Sequence, residues 1–193
     1  MDEAEINLVV DRNAPDTDAY FTDIFGNRTT KFMAFVGSNA SGKTNLLKSF
    51  AFLRWFTVYS FTGLGPEESI YFKPFLFCAD SDKRPSTFDL EFETGNKIYK
   101  YELEVTTKKI LKEKLSFKEG ENKRFKVLFN RLWNSGKNAY EFNFKNFNVS
   151  SDFASLVRSN TSVLSTGRQV KHKQSMEITK YFNKIETNIA EEG

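Results

Sequence analysis

The sequence contains very little cysteine and histidine, with Cys78 and His172 the only examples in 193 residues. A single cysteine excludes a disulfide framework within the chain and a zinc site built from several cysteines. A single histidine argues against a histidine-rich metal site and against a Ser–His–Asp hydrolase. The chemistry of this chain must therefore rest on other residue types.

The sequence also lacks a long hydrophobic run. No run reaches the roughly 18–20 apolar residues that a membrane-spanning helix needs, and the acidic start, Met1-Asp2-Glu3, does not suit a secretory signal. Hydrophobic residues make up 39% of the chain and charged residues 27%, which is typical of a globular domain. We therefore expect a reduced, cytoplasmic protein that has no membrane segment.

The net charge of +3 is unevenly distributed. Residues 1–30 carry seven acidic residues against two arginines, whereas residues 97–145 carry thirteen Lys/Arg against six Asp/Glu. This asymmetry permits an anionic partner for the middle segment. The nucleic-acid candidates there are Lys108, Lys109, Lys112, Lys114, Lys123, Arg124 and Lys126. Because acidic and apolar residues interrupt this group, we favour a protein contact or a solvated sheet face over nucleic acid.

The hydrophobic pattern predicts a strand followed by a helix near the N-terminus. Residues 31–36 (Lys-Phe-Met-Ala-Phe-Val) are almost continuously apolar, which is typical of a strand buried on both faces. From Leu46 to Phe56 the apolar residues recur at helical spacing, which predicts a helix over 43–60 that ends before Gly63.

Further along the chain the pattern changes to strict alternation. Between residues 86 and 145, five segments alternate apolar and polar residues, which predicts an antiparallel meander with a Phe-packed buried face. Its first two strands meet at Thr94-Gly95-Asn96. After residue 150 the helical period returns, in a short helix that begins at Phe153 and in a second one near the C-terminus. The apolar stripe of that second helix consists of Ile178, Phe182, Ile185 and Ile189.

One motif carries chemistry. Residues 37–44, Gly-Ser-Asn-Ala-Ser-Gly-Lys-Thr, fit the phosphate-binding pattern G-x-x-x-x-G-K-[ST] at every fixed position, between a predicted strand and a predicted helix. The predicted nucleotide-binding residues are Gly37, Ser38, Asn39, Ala40, Ser41, Gly42, Lys43, Thr44 and Asn45.

The residue types suit this chemistry. Backbone N–H groups of such a loop and the helix N-terminus attract an anion. Lys43 would place an ammonium on the β- and γ-phosphate oxygens, and the hydroxyl of Thr44 would bind Mg²⁺. The predicted cofactors are therefore ATP and Mg²⁺, although the motif does not distinguish ATP from GTP.

Hydrolysis would also need an acidic residue at the end of a second buried strand. The nearest match is Asp80, which follows the apolar run Phe75-Leu-Phe-Cys-Ala. The alternative interpretation is a strand that simply enters a loop.

The motif and the residues after it, Asn-Leu-Leu-Lys-Ser-Phe, resemble the P-loop of ABC/SMC-type ATPases. The likeness is closest to bacterial AAA-family ATPases related to the OLD proteins, which occur in anti-phage systems of the PARIS and Septu type. Lys73-Pro74-Phe75 with Phe88–Phe92, the strand pairs from Tyr99 to Leu115, and the later helical stretches at 156–160 and 179–182 are similar to that family's segments.

The resemblance implies an α/β fold, a P-loop NTPase of ABC/SMC type with an antiparallel β-meander and C-terminal helices. Residues 1–193 would form one partial ATPase domain, divided into the P-loop strand and helix (1–66), the meander (67–149) and a helical segment (150–193). The family's signature Ser-Gly motif, its acidic Walker B strand and its late histidine do not occur in the sequence. Hydrolysis would therefore require these elements from another segment or subunit, supplied in a homo-oligomer or by a partner protein.

Two other functions remain open at this point. A non-catalytic subunit could use bound ATP to hold a partner. A small P-loop kinase would suit the length, but such kinases begin with the P-loop strand and carry an Arg-rich lid, whereas about thirty residues precede the strand here.

Overall fold

The computed structural model describes residues 4–39, 42–71, 84–120 and 123–187. Two short strands, β1 (Tyr20–Thr22) and β2 (Arg28–Thr30), come first and are followed by the long helix α1 (Lys43–Gly63). Five strands then form a sheet: β3 (Ser86–Thr94), β4 (Lys97–Val105), β5 (Ile110–Lys118), β6 (Lys126–Asn134) and β7 (Ala139–Asn143). Three helices end the chain: α2 (Phe153–Leu156), α3 (Val163–Gln169) and α4 (Lys173–Phe182).

The predicted meander is confirmed. The five strands lie in the order β3-β4-β5-β6-β7, and every neighbouring pair is antiparallel. Gly95 and Asn96 join β3 to β4 with φ values of 57° and 59°. Two successive positive φ angles define the tight turn whose twist matches that of the flanking strands.

Phenylalanine fills the core on one face of this sheet, as predicted. Phe52 of α1 stacks on Phe56 with 5.5 Å between ring centroids and contacts Phe88 of β3 at 5.2 Å. Phe92 packs against Tyr181 at 4.5 Å and against Phe182 at 5.1 Å. The helices therefore cover one face of the meander.

The other face of the sheet carries cross-strand ion pairs. Lys100 Nζ lies 2.9 Å from a carboxylate oxygen of Asp89. Glu102 is bracketed by Lys112 and Lys114, whose ammonium groups lie 2.9 Å and 2.7 Å from its two oxygens. This alternation of buried and charged faces is the pattern that the sequence predicts for the segment.

The predicted helices are largely confirmed. α1 begins at Lys43 as expected and extends three residues beyond the predicted end, and α2 begins at Phe153. α4 buries Ile178 and Phe182, while Ile185 packs on the core after the helix has ended. Ile189 lies outside the described residues. α3, which was not predicted, contains the poor helix formers Ser165, Thr166 and Gly167 and is held by its packing against α1 and α4.

The prediction of a buried strand over residues 31–36 is wrong. These residues form no strand, and all of them are exposed. Phe32 is 78% exposed and Val36 is 94% exposed. A strand that is buried on both faces needs a neighbouring strand to pair with and a packed layer above and below it. Every strand pair in the described part of the chain is antiparallel, and none includes this segment.

Among the described residues, no helix is both long and apolar enough to cross a membrane.

Candidate functional site

The phosphate-binding motif ends at the start of α1. Gly42 has a φ of 91°, a left-handed conformation that side chains with a Cβ rarely adopt, and it is the residue that immediately precedes the helix. The carbonyl of Gly42 accepts the first helical hydrogen bond, from Leu46 N at 3.1 Å. No acidic residue lies in the first turn of α1. The positive end of the helix dipole is therefore left without a neighbouring carboxylate in that turn.

Lys43 folds back across the loop. Its Nζ donates a hydrogen bond to the carbonyl oxygen of Gly37 at 2.8 Å and another to that of Ser38 at 2.5 Å. The first two residues of the motif are thereby tied to its lysine. The ammonium is fixed beside the N-terminus of α1, so two sources of positive potential lie together.

The other predicted residues that the structure describes lie in the loop and in the first turn of α1. Thr44 and Asn45 are exposed in the first turn of α1, and Asn39 is exposed in the loop. Ala40 and Ser41 lie outside the described residues. Among the described residues other than its chain neighbours, none would lie within 4 Å of a Cβ at Gly42, so on that side the approach to this residue is open.

These features fit the group that the motif implies. A nucleotide phosphate needs converging positive potential and an open approach, and both are present at Gly42 and Lys43. The Thr44 hydroxyl is a hard oxygen ligand of the kind that Mg²⁺ takes, and its exposure leaves it accessible. The chemistry of the donors therefore matches a nucleotide with its metal.

The weak catalytic candidate, Asp80, lies outside the described residues. Within the described ranges, no group of three or more His, Cys, Asp or Glu side chains lies close enough together to hold a metal ion.

The far end of α1 is held by the segment 158–168, which sequence reasoning missed. Arg158 donates to the carbonyl oxygen of Leu64 at 2.8 Å and to that of Phe61. Arg168 Nη1 donates to the carbonyl oxygen of Val58 at 3.2 Å. The last carbonyls of a helix lack partners within it, and Arg158 supplies partners to those of Phe61 and Leu64. Arg168 adds a hydrogen bond about one turn earlier in the helix.

The same segment is fastened to the sheet by the fully buried Glu113 of β5. Its Oε1 accepts from the hydroxyl of Ser162 at 2.7 Å and from that of Tyr101 at 3.0 Å, and Val163 N donates to Oε2 at 3.0 Å. Arg131 Nη1 lies 3.6 Å from Oε2. Burial raises the pKa of Glu113, and the nearby Arg131 only partly opposes this.

Arg131, which the sequence counts among the basic residues, is also fully buried. Its guanidinium donates to the carbonyl oxygens of Thr161 and Arg158, both at 2.8 Å, and lies 4.1 Å from the ring centroid of Tyr140. Together, Glu113 and Arg131 join segment 158–168 to β5 and β6. The helix that carries Lys43 and Thr44 is thus anchored to the sheet at its C-terminal end.

The seven candidate residues for a nucleic-acid contact are spread along β5 and beyond both of its ends. Lys112 and Lys114 pair with Glu102, and Lys109 Nζ lies 3.7 Å from the ring centroid of Trp133. Lys108 and Lys109 precede β5, whereas Lys123, Arg124 and Lys126 follow it. The nine residues of β5 place these two groups about 30 Å apart.

The chain matches a protein-family model over most of its length. A family model described as "AAA domain, putative AbiEii toxin, Type IV TA system" matches residues 32–190, which include the phosphate-binding motif, the meander and the later helices. No curated protein and no solved structure gives a significant match. The matched range covers most of the chain, so the mixed α/β fold and a nucleotide-binding, ATPase-like function follow from it. The chain belongs to this family of AAA domains.

Proposed function

We propose that this chain is the ATP-binding part of a P-loop NTPase of the ABC/SMC type. Gly37, Ser38, Gly42 and Lys43 would hold the phosphates, with Asn39 and Asn45 beside them and Thr44 as the Mg²⁺ ligand. The cofactor supplies the phosphoryl group and its metal. The chain's own residues would position the phosphates and surround them with positive potential.

The single observation that carries this proposal is the position of the Lys43 ammonium. It is held by two carbonyl oxygens of its own loop, at 2.8 Å and 2.5 Å, directly at the start of a 21-residue helix. A flexible lysine loses rotamer entropy when it binds an anion, and this one is already ordered. The Lys43 side chain is therefore preorganised for a phosphate.

The test is calorimetric titration of ATP·Mg²⁺ into Lys43→Ala. We expect binding to be abolished while the domain stays folded, because Lys43 is exchanged for a methyl group at a position outside the buried core. Lys48→Ala is the matched control, since Lys48 is an exposed lysine on the same helix. Unchanged nucleotide affinity in folded Lys43→Ala would remove the P-loop assignment.

We propose further that hydrolysis occurs only in a complete assembly. An acidic strand and a signature motif would come from another segment or subunit, in an anti-phage defence system of the kind that the sequence resembles. ATP turnover should then rise more steeply than protein concentration. A non-catalytic scaffold that uses ATP to hold a partner would give no turnover at any concentration.

Nucleic acid is not the favoured partner of the basic segment. The separation of its cations into two distant groups, and the pairing of Lys112 and Lys114 with Glu102, favour a protein contact or a solvated face. A patch that neutralised five phosphates would lose about a thousandfold in affinity over a fourfold rise in salt. Binding of a labelled duplex with such salt dependence would reverse this preference, provided that the binding is lost when Lys108, Lys109 and Lys112 are changed to Glu.

A further inference from the structure

Four exposed lysines lie on and beside α4: Lys171, Lys173, Lys180 and Lys184. Within the described residues, no ion pair joins any of these lysines to an acidic side chain. Residues 168–184 contain five Lys/Arg against one carboxylate, that of Glu177. This short stretch therefore carries a concentrated positive charge.

The lysines of the basic meander differ in this respect. Five of them are held 2.7–2.9 Å from carboxylate oxygens, which neutralises much of their charge: Lys97, Lys100, Lys112, Lys114 and Lys137. The number of basic residues in 97–145 therefore overstates the charge that this segment offers to an anionic partner.

The helix fixes the spacing of its lysines. Lys173 and Lys180 are seven residues apart, so they lie on the same side of α4 and about 10 Å apart along its axis. Lys184 follows the end of the helix, where its backbone N–H still donates to the carbonyl oxygen of Tyr181 at 3.0 Å. The three lysines therefore span about 16 Å along one helix.

Arg168 adds a fifth cation near the C-terminal end of α4. The hydroxyl of Tyr59 lies 2.6 Å from Asn183 Oδ1, and the guanidinium carbon of Arg168 lies 5.5 Å from the centroid of the same Tyr59 ring. This geometry brings Arg168 of α3 close to the residue that precedes Lys184. We call the five residues Arg168, Lys171, Lys173, Lys180 and Lys184 the cation face.

We propose that the cation face binds the phosphodiester backbone of a nucleic acid. The proposal goes beyond the proposed function, because the cation face contains none of the predicted nucleotide-binding residues. One strand of a duplex carries a phosphate about every 3.4 Å along its axis, so about five phosphates match the span of the three helix lysines. Contacts of this kind position a nucleic acid without reading its bases, so the binding is independent of sequence.

An acidic protein fits the cation face less well. Protein interfaces depend on aromatic, apolar or arginine anchors that are buried in pockets of the partner. The large apolar side chains exposed within residues 168–184 are Val170 and Met176, at 49% and 40%. Isolated apolar residues of this kind occur on any protein surface. The cation face therefore offers charge without an apolar centre, which suits phosphates.

The first measurement is the affinity of the full chain for a labelled duplex as a function of salt. Contacts to four phosphates give a slope of about −3.6 for the logarithm of affinity against the logarithm of salt concentration. We therefore expect affinity to fall about a hundredfold over a fourfold rise in salt. No binding at low salt, or binding that does not change with salt, would overturn the proposal.

The second measurement compares two triple variants that lose the same charge. Lys173→Gln/Lys180→Gln/Lys184→Gln should reduce the magnitude of the slope by about 2.7, since each phosphate contact contributes about 0.9. The matched control is Lys108→Gln/Lys126→Gln/Lys145→Gln, which changes three exposed lysines of the segment 97–145 and should leave the slope unchanged. Thermal unfolding midpoints of both variants should lie within about 2 °C of the wild type, as expected for surface substitutions. An equal loss in both variants would show an unspecific effect of net charge and would overturn the proposal.

Two further controls separate the cation face from other anion sites. Lys43→Ala should bind the duplex as the wild type does, even though it is expected to lose ATP·Mg²⁺; loss of the duplex in this variant would place the contact at the phosphate-binding loop instead. Polyglutamate serves as an acidic polypeptide without phosphates and should compete poorly. If polyglutamate displaced the duplex at an equal concentration of negative charge, the cation face would be a site for an acidic protein and the proposal would be wrong.

Discussion

Replacing Gly167 with alanine should separate the two helices that hold the end of α1. A Cβ at Gly167 of α3 would lie 2.1 Å from Ser175 Oγ and 2.9 Å from Ser175 Cβ, both on α4. Gly167 and Ser175 are buried, and the Ser175 hydroxyl also lies 3.0 Å from His172 Nδ1. Rotation of the hydroxyl can relieve the shorter contact, but the contact with Cβ requires the helices to move.

The magnitude follows from two opposing effects. Overpacking a close helix contact costs about 1–3 kcal/mol of unfolding free energy. The greater helix propensity of alanine returns up to about 1 kcal/mol. Because the new Cβ would lie only 2.9 Å from Ser175 Cβ, the cost of overpacking falls in the upper part of its range, about 2–3 kcal/mol. The net loss is then about 1–3 kcal/mol, which lowers the unfolding midpoint of a chain this long by about 2–12 °C.

Thermal and urea unfolding of Gly167→Ala, Ser175→Gly, their double variant and a control measure this effect. Gly63→Ala is the control, because its new Cβ would have no atom nearer than Trp55 Nε1 at 3.4 Å, and it should leave the midpoint nearly unchanged. In the double variant Gly167→Ala/Ser175→Gly, the loss should be smaller than the sum of the two single losses by about 1 kcal/mol or more. A Gly167→Ala variant as stable as the wild type, or strictly additive losses, would refute the close contact.

Two further predictions concern Glu113 and Thr44. Burial raises the pKa of Glu113 above its ordinary value of 4.5. The stability that this group contributes is therefore fully present below that pH and is lost as pH rises through the pKa of the folded state. Urea midpoints measured from pH 4 to 8 should fall with pH for this reason in the wild type, and Glu113→Gln should lack that part of the decrease. Parallel pH curves for the two proteins would contradict the buried carboxyl. Thr44→Ala should leave nucleotide binding measurable in calorimetry but reduce its dependence on Mg²⁺. Equal metal dependence in variant and wild type would remove Thr44 from the metal.

The meander could be predicted because its signal is local. Each strand alternates apolar and polar residues, and the turn at Gly95 and Asn96 uses residue types that accept positive φ. The start of α1 at Lys43 was predicted for the same reason, since the motif and the helical spacing after it lie within a few residues of one another. Local chemistry fixes such features without reference to the rest of the chain.

Segment 158–168 could not be predicted, because its role depends on residues far away in sequence. Arg158 serves carbonyls of Leu64 and Phe61, more than ninety positions earlier. Glu113 and Arg131 lie in the basic middle segment, which the sequence interprets as a protein contact or a solvated face, yet both are fully buried. The charge of these residues gives no sign that they are buried. Their burial is tolerated because Glu113 and Arg131 lie opposite each other on β5 and β6.

The exposed segment 31–36, for which the predicted strand was wrong, and the helix α1 show that the described N-terminal residues lie outside the buried core. The C-terminal half of α1 buries Phe52, Leu53 and Phe56 against the meander and is held by Arg158 and Arg168. Its first turns, with Thr44 and Asn45, contribute nothing to that core. Since 21 helical residues span about 30 Å, the predicted nucleotide-binding residues at the start of α1 project well beyond the anchored end. Substitutions at Lys43 and Thr44 should therefore change ligand binding without unfolding the domain, whereas substitutions at Gly167 or Glu113 should change stability first.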